Sequence, residues 1–320
     1  MFKEVIRSKW FGPSVVIFLI LFVLPSFIPR FYTYILALIY VTSLLAMSLN
    51  LVVGHGGMFQ FHHAVFYGVG AYTVALMLKK TSLPMWTGFV AGPIVAAFTG
   101  LIIGWLCVRL TRLYFGMLQI SLGSLIWAIV LRWYSFTGGD DGIPGIPVPP
   151  FLSSQNNSYY FILIILVICL IIMYLILRSP FGNTLQAIRD NPQRCEAVGI
   201  NVRRHQLIAI VIATFFAGVA GVLFVVLERS VFTDLLFWVL SLEVFIMCLL
   251  GGWFTFIGPV LGAAIIVALR TFVGIFTEYW TLILGVVLIL LIFFLPEGVV
   301  GYVQELFKPR TREATEGGHR

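Results

Sequence analysis

Charge is what this sequence has least of: charged residues make up 10% of its 320 positions, against 60% hydrophobic ones. Soluble globular chains carry about 25% charged residues and about half apolar ones. Too little polar material is left to cover a water-facing surface, which excludes a soluble globular enzyme. Lipid must solvate most of the chain, as the mean hydropathy of +1.04 also requires. Cysteine is scarce as well. Cys107, Cys169 and Cys248 lie inside apolar runs and Cys195 in a basic loop, with no CxxC pair, so neither a disulfide framework nor a thiolate metal site is implied. A phosphate loop of the GxxxxGKS or GxxxxGKT type is missing, as are HExxH and GxSxG. No enzymatic centre can be placed in the chain, and any energy for its work must come from elsewhere.

What charge there is gives a net +7, with basic residues set singly or in short groups between apolar runs. A groove tracking nucleic acid would concentrate them, so nucleic acid is set aside and membrane lipid is the expected surrounding. Near the N-terminus, Lys3, Arg7 and Lys9 precede an apolar run from Trp10 to Pro29. That run ends Leu-Pro-Ser-Phe-Ile-Pro, without a small-x-small cleavage site, and reads as a retained first span.

A helix needs about 20 residues to cross the hydrocarbon. The uncharged runs then divide into ten spans, at roughly 11–29, 31–53, 58–78, 83–108, 113–134, 158–177, 207–227, 235–251, 254–273 and 279–299. The positive-inside rule tests this count, because one span too many would invert every later loop. With both termini in the cytoplasm, the inner segments hold 14 Lys and Arg: three at the N-terminus, Arg109 and Arg112, five between Arg178 and Arg204, and four in the tail. The outer segments hold the other six, together with Asp140, Asp141, Glu228, Asp234 and Glu278. The expected fold is an all-α polytopic membrane protein, with a permease domain over 1–307 and a disordered cytoplasmic tail over 308–320.

The 48 residues from Phe31 to Leu78 carry no formal charge but are interrupted at Gly54-His55-Gly56-Gly57. Asn50, His55, Gln60, His62 and His63 gather around the interruption, which predicts a broken helix near 54–63. Unwound backbone in lipid costs several kcal/mol per unpaired group, to an order of magnitude, so such a break is tolerated only inside protein or along a water-filled path. The glycines alone would fit close helix packing; five polar side chains within 14 residues point to a path. Gly92-Pro93-Ile-Val-Ala-Ala recurs as Gly258-Pro259-Val-Leu-Gly-Ala five spans later, in the opposite sense through the membrane. That is the pattern of an inverted five-plus-five repeat, although small-residue helices also resemble one another by chance.

Two loops stand out. The external loop, 135–157, contains Thr137-Gly-Gly-Asp-Asp-Gly-Ile and a run of prolines, and is either a connector or a docking surface presenting Asp140 and Asp141. The cytoplasmic loop, 178–204, is punctuated for order. Ser179-Pro180 and Asn191-Pro192 each set a capping side chain before a proline at the first helical position, and Gly199 suits a helix end. Two short surface helices are predicted there, carrying Arg189, Asp190, Arg194 and Glu196 as a partner-binding element. Glu243 is the one acidic residue near the middle of a span, where a charge costs about 2.5–3.5 kcal/mol on insertion scales. It must be protonated, paired or beside water.

Several segments together resemble the permease subunits of branched-chain amino acid ABC importers, of the LivM type. Residues 49–72 read LNLVVGHGGMFQFHHAVFYGVGAY, similar to the family's LNLxxGxxGxxSxGHAxFxGxGAY. Thr137-Gly-Gly-Asp-Asp-Gly-Ile, RSPFGNTLQAIRDNPQRCEAVGINV from Arg178 to Val202, the segment from Leu250 to Ala264, and Leu295-Pro-Glu-Gly extend the likeness over most of the chain. The resemblance implies a passive half of a translocation pathway in the bacterial inner membrane. It pairs with a second, LivH-type permease, with two ATPases of the LivG and LivF types that bind ATP and magnesium, and with an external solute-binding protein. No cofactor is expected in this chain itself. The resemblance puts ATPase coupling on Asn183 to Gly199, with Asn183, Arg189, Asp190, Arg194, Glu196 and Gly199 as its residues. Where the family has glutamine, serine and glycine this sequence has Met58, Gln60 and His62, and Gln119 and Ser124 replace the usual threonine and glutamate. Those departures leave the solute open among branched-chain amino acids and other small polar solutes. The polar residues at membrane depth, Asn50, Gln60, His62, His63, Gln119 and Glu243, are the candidates for the pathway. The rival expectation is a proton-coupled secondary transporter using Glu243 or a histidine.

Overall fold

The computed structural model describes residues 20–81, 85–110 and 112–276, with scattered positions between 279 and 298. Ten helices organise the described residues, apart from single-turn pieces: α1 Arg30–Asn50, α2 Ala64–Lys80, α3 Met85–Cys107, α4 Arg112–Arg132, α5 Gln155–Arg178, α6 Pro180–Asp190, α7 Pro192–Ala197, α8 Val202–Glu228, α9 Trp238–Gly251 and α10 Gly258–Phe276. A π-helical turn, Leu51–His55, extends α1. Extended pairing among the described residues is limited to one bridge, Ile143 with Val231.

Six of these helices are long and apolar enough to cross a membrane: α1 with its π turn, α3, α4, α5, α8 and α10. α2 and α9 are shorter, at 17 and 14 residues. This is a multi-pass membrane protein. Eight of the ten expected spans coincide with a helix; most of the first, all but scattered positions of the tenth, and the tail at 308–320 lie outside the described residues. One boundary moves. The third span was expected from residue 58, but α2 starts at Ala64, because the backbone stays out of helix through His63 while Phe59 and Phe61 keep the run apolar in sequence.

In lipid, helices associate by packing and hydrogen bonding, so small residues concentrate where backbones approach. α8 runs through the middle, against α1, α2 and α3. At its crossing with α2, a Cβ added to Gly70 would lie 2.7 Å from the Cα of Gly218, so neither position admits a side chain. α1 packs in turn on α5, α9 and α10. The two Gly-Pro motifs differ locally: Pro93 is inside α3, whereas Gly258 and Pro259 open α10.

Candidate functional site

The break begins where α1 loosens into its π turn. Gly54 is obligatory there, since a Cβ would come within 2.0 Å of the Trp253 carbonyl oxygen and 2.2 Å of Asn50 Oδ1. Gly57, at φ +64°, turns the chain out of the helix. From there to His63 no regular helix forms, and side chains alternate in burial. Phe59 and Phe61 are 38% and 37% exposed and stack with ring centroids 6.0 Å apart, while Gln60, His62 and His63 are fully buried. Ser48 donates to the Leu45 carbonyl at 2.7 Å, so its oxygen accepts from Nε2–H of His63, 2.8 Å away. The backbone N–H of Ala64 donates to Ser241 Oγ at 2.8 Å, which fastens the start of α2 to α9.

One face of α4 closes over this segment. A Cβ on Gly116 would meet the Phe61 ring at 2.7 Å, and one on Gly123 would meet the His62 ring at 2.5 Å. Gln119 and Trp127 continue the same stripe at helical spacing. Gln119 is 1% exposed, and its Oε1, both amide atoms of Gln60, both ring nitrogens of His62 and the Trp127 indole nitrogen are buried without a hydrogen-bond partner. Each such group costs about 1–3 kcal/mol when left unpaired. They are concentrated beside non-helical backbone, which is tolerated at membrane depth only inside protein or along a water-filled cavity.

A family model described as "Branched-chain amino acid transport system / permease component" matches residues 31–292. The chain belongs to this permease family. Relatives include the high-affinity branched-chain amino acid transport system permease protein LivM of Escherichia coli, 27% identical over 292 residues, with 83% of this chain and 68% of that protein covered. The Salmonella typhimurium protein of the same name is 26% identical, covering 85% of this chain and 70% of its own length. A probable LivM permease protein of Methanocaldococcus jannaschii is 24% identical over 80% of this chain and 89% of itself. No solved structure matches. These relatives are transport components by name, and membrane transport is this permease's setting.

Of the six polar residues singled out in the sequence, Gln60, His62 and His63 lie buried along the break, and Gln119 lies between Gly116 and Gly123 on the face of α4 that covers Phe61 and His62. Asn50 lies on the other side of the break, where its Nδ2 donates to the Thr255 carbonyl at 3.3 Å. Glu243 is set apart. Ser241 and Phe245 of α9 face the break, Phe245 with its ring 5.9 Å from that of Phe61, and Glu243 sits between them in sequence, on another face of the helix. Its Oε2 is 3.6 Å from Arg270 Nη1 of α10. Pairing was one of the three states the sequence allowed for this carboxylate, and Arg270 is placed to supply it. Trp127, Ser48, Ser241 and Arg270 are the site and support residues that sequence reading passed over; Trp127 was findable as the next position of the Gly116, Gln119, Gly123 stripe.

The permease loop between α5 and α8 has the punctuation its sequence implies. Ser179 accepts from the Gly182 N–H at 3.4 Å and Asn191 from the Arg194 N–H at 3.0 Å, and Gly199 is left-handed at φ +87°. Asn201 adds a third cap, accepting from Arg204 N–H at 3.0 Å. Asn183, Asp190, Arg194, Glu196 and Gly199 are exposed, whereas Arg189 turns inward and donates from Nη1 to the Gly54 carbonyl at 2.8 Å. At the far end of α5, Asp140 and Asp141 are both exposed, and Asp141 accepts from the Tyr134 hydroxyl at 2.5 Å.

Proposed function

We propose that the chain is the membrane-spanning permease subunit of an ATP-driven importer and forms half of a path for a branched-chain amino acid or a closely related small zwitterion. The observation that carries this reading is the row of buried, unpartnered polar atoms on Gln60, His62 and Gln119, set against non-helical backbone between α1 and α2. Amide and imidazole groups can both donate and accept, which suits a solute that carries donors and acceptors together. His63 and Asn50 flank the row. The names of the relatives support branched-chain amino acids as the solute class.

In this reading the plasma membrane holds ten spans with both termini in the cytoplasm. An inverted five-plus-five repeat is supported by an exchange of partners: α8 packs on α2 and α3, and α1 on α9 and α10. Those pairs correspond if α1, α2 and α3 match α8, α9 and α10. The break and the loop between α5 and α8 face the cytoplasm, where α6 and α7 meet the ATPases. The opposite loop, with Asp140 and Asp141, faces a solute-binding protein. A LivH-type permease supplies the other half, and LivG- and LivF-type ATPases bind ATP and magnesium. Glu243, committed to Arg270, is a poor proton carrier, which weighs against a proton-coupled transporter.

The test is uptake of labelled leucine, isoleucine and valine into liposomes holding the chain with its permease, ATPase and binding-protein partners. Uptake should require ATP hydrolysis and survive a proton uncoupler. Gln119→Leu is expected to lower uptake about tenfold while leaving folding within about 1 kcal/mol of the parent, since it deletes a buried amide whose oxygen has no partner. Uptake by this chain alone, abolished by the uncoupler, would replace the importer with the secondary transporter.

A further inference from the structure

Arg189 sits in the last turn of α6 and is 25% exposed. Its side chain crosses the break. The stem lies so close to Gly57 that a Cβ there would be 2.6 Å from Arg189 Cγ, and the guanidinium lies 5.1 Å from the Phe254 ring centroid, over the turn between α9 and α10. Nη1 donates to the Gly54 carbonyl at 2.8 Å and Nε to Asp190 Oδ1 at 3.0 Å. A helix end leaves carbonyls without intrahelical partners. Here a carbonyl of the loosened end of α1 is capped from a separate segment of the chain. Three elements, α6, the break and the α9–α10 turn, therefore share one side chain.

α6 and α7 are joined to each other and to the start of α8 by a small shared core. Ile188 of α6, Cys195 of α7 and Val202 of α8 form a small core of their own, with Ile200 packed against it. On its exposed side lies α7, capped at its C-terminus by Val198, which is 75% exposed. A displacement applied at α7 is delivered through this core to the residue beside Ile188, which is Arg189.

We propose that Arg189 is a positioning residue that transmits ATPase-driven movement of α6 and α7 to the break, by holding or releasing the Gly54 carbonyl. The proposal rests on the importer reading. It gives Arg189 an inward role, different from a contact with the ATPase, which falls to Arg194, Glu196 and Val198.

The test reads the break directly and needs no solute. Cys107, Cys169, Cys195 and Cys248 are all buried, so Phe59→Cys supplies an accessible thiol at the break. In the assembled complex, its rate of labelling by a water-soluble maleimide is compared with and without a non-hydrolysable ATP analogue. Coupling between sites typically spans about 5-fold to 150-fold, and a nucleotide-dependent change of about tenfold is expected in the Phe59→Cys parent. Arg189→Ala should assemble with the ATPases and hydrolyse ATP yet lose that change. Arg189→Lys, which keeps the charge without the fork, should recover part of it. Equal changes in parent and Arg189→Ala overturn the proposal, as does a parent whose labelling ignores nucleotide. If neither Arg189 variant assembles while the parent does, Arg189 belongs to folding or docking and the proposal also falls. A parent that associates with no ATPase removes the importer reading itself, an outcome visible before any labelling.

Discussion

The two rims of the helix bundle are held in different ways. At the rim opposite the break, the loop between α4 and α5 is stitched down repeatedly. Ile143 and Val231 exchange backbone hydrogen bonds, Ile146 N–H donates to the Arg229 carbonyl, and Lys79 and Lys80 donate to the carbonyls of Pro144, Ser135 and Phe136. Tyr34 of α1 and Glu228 at the end of α8 are hydrogen-bonded at the same rim. At the break rim, the loop between α5 and α8 spends its capping bonds on itself, and among the described residues Arg189 is the one side chain of this loop that hydrogen-bonds the break. Redundant ties resist displacement even when one is lost, whereas a single tie can switch. The difference teaches where motion belongs: at the break, under the loop between α5 and α8.

Glycine substitution should separate the rims most sharply. Gly54→Ala sets a Cβ 2.0 Å from backbone and is expected to cost about 3 kcal/mol or more, seen as loss of monodisperse protein after mild heating. Gly145→Ala, at the opposite rim with nothing within 4 Å of the new methyl and φ +66°, should cost only the left-handed penalty of about 1–2 kcal/mol. Equal losses would erase the distinction. A smaller contrast comes from polar ties. Asn191→Ala removes a cap worth about 1 kcal/mol and should weaken retention of the ATPases on a purification column. Lys79→Ala removes one exposed bond among several and should stay within about 0.5 kcal/mol of the parent. A larger effect of Lys79→Ala would mean that the stitching is not redundant.

Local features of this arrangement were legible in the sequence. Spans follow from apolar runs, and the caps at Ser179 and Asn191 from residues adjacent in sequence to the bonds they make. The break was legible because glycine and polar side chains interrupt an apolar stretch. The start of the third span, expected at 58, was not, since Phe59 and Phe61 satisfy a helical pattern; in the structure Phe61 packs instead against Gly116 and Phe245. Arg189 looked like a solvated partner contact because nothing in the sequence places Gly54 beside it. The partner of Glu243 was hidden for the same reason: 27 positions separate it from Arg270, and their meeting depends on how α9 folds back on α10.

That fold-back bears on how the protein is made. α9 is short and carries a carboxylate, and α10 carries the guanidinium that neutralises it, with the turn between them tight enough that a Cβ on Gly251 would lie 1.8 Å from the Gly258 carbonyl. A lone charge costs about 2.5–3.5 kcal/mol at mid-membrane on translocon scales. The two helices are therefore expected to leave the translocon as one neutral hairpin, with α9 waiting until α10 has been synthesised. Chains truncated after Gly251 should integrate α9 poorly, and chains extended past Phe276 should integrate it well, in a glycosylation-mapping assay. Efficient integration of the shorter chain would show that α9 enters the bilayer unaided.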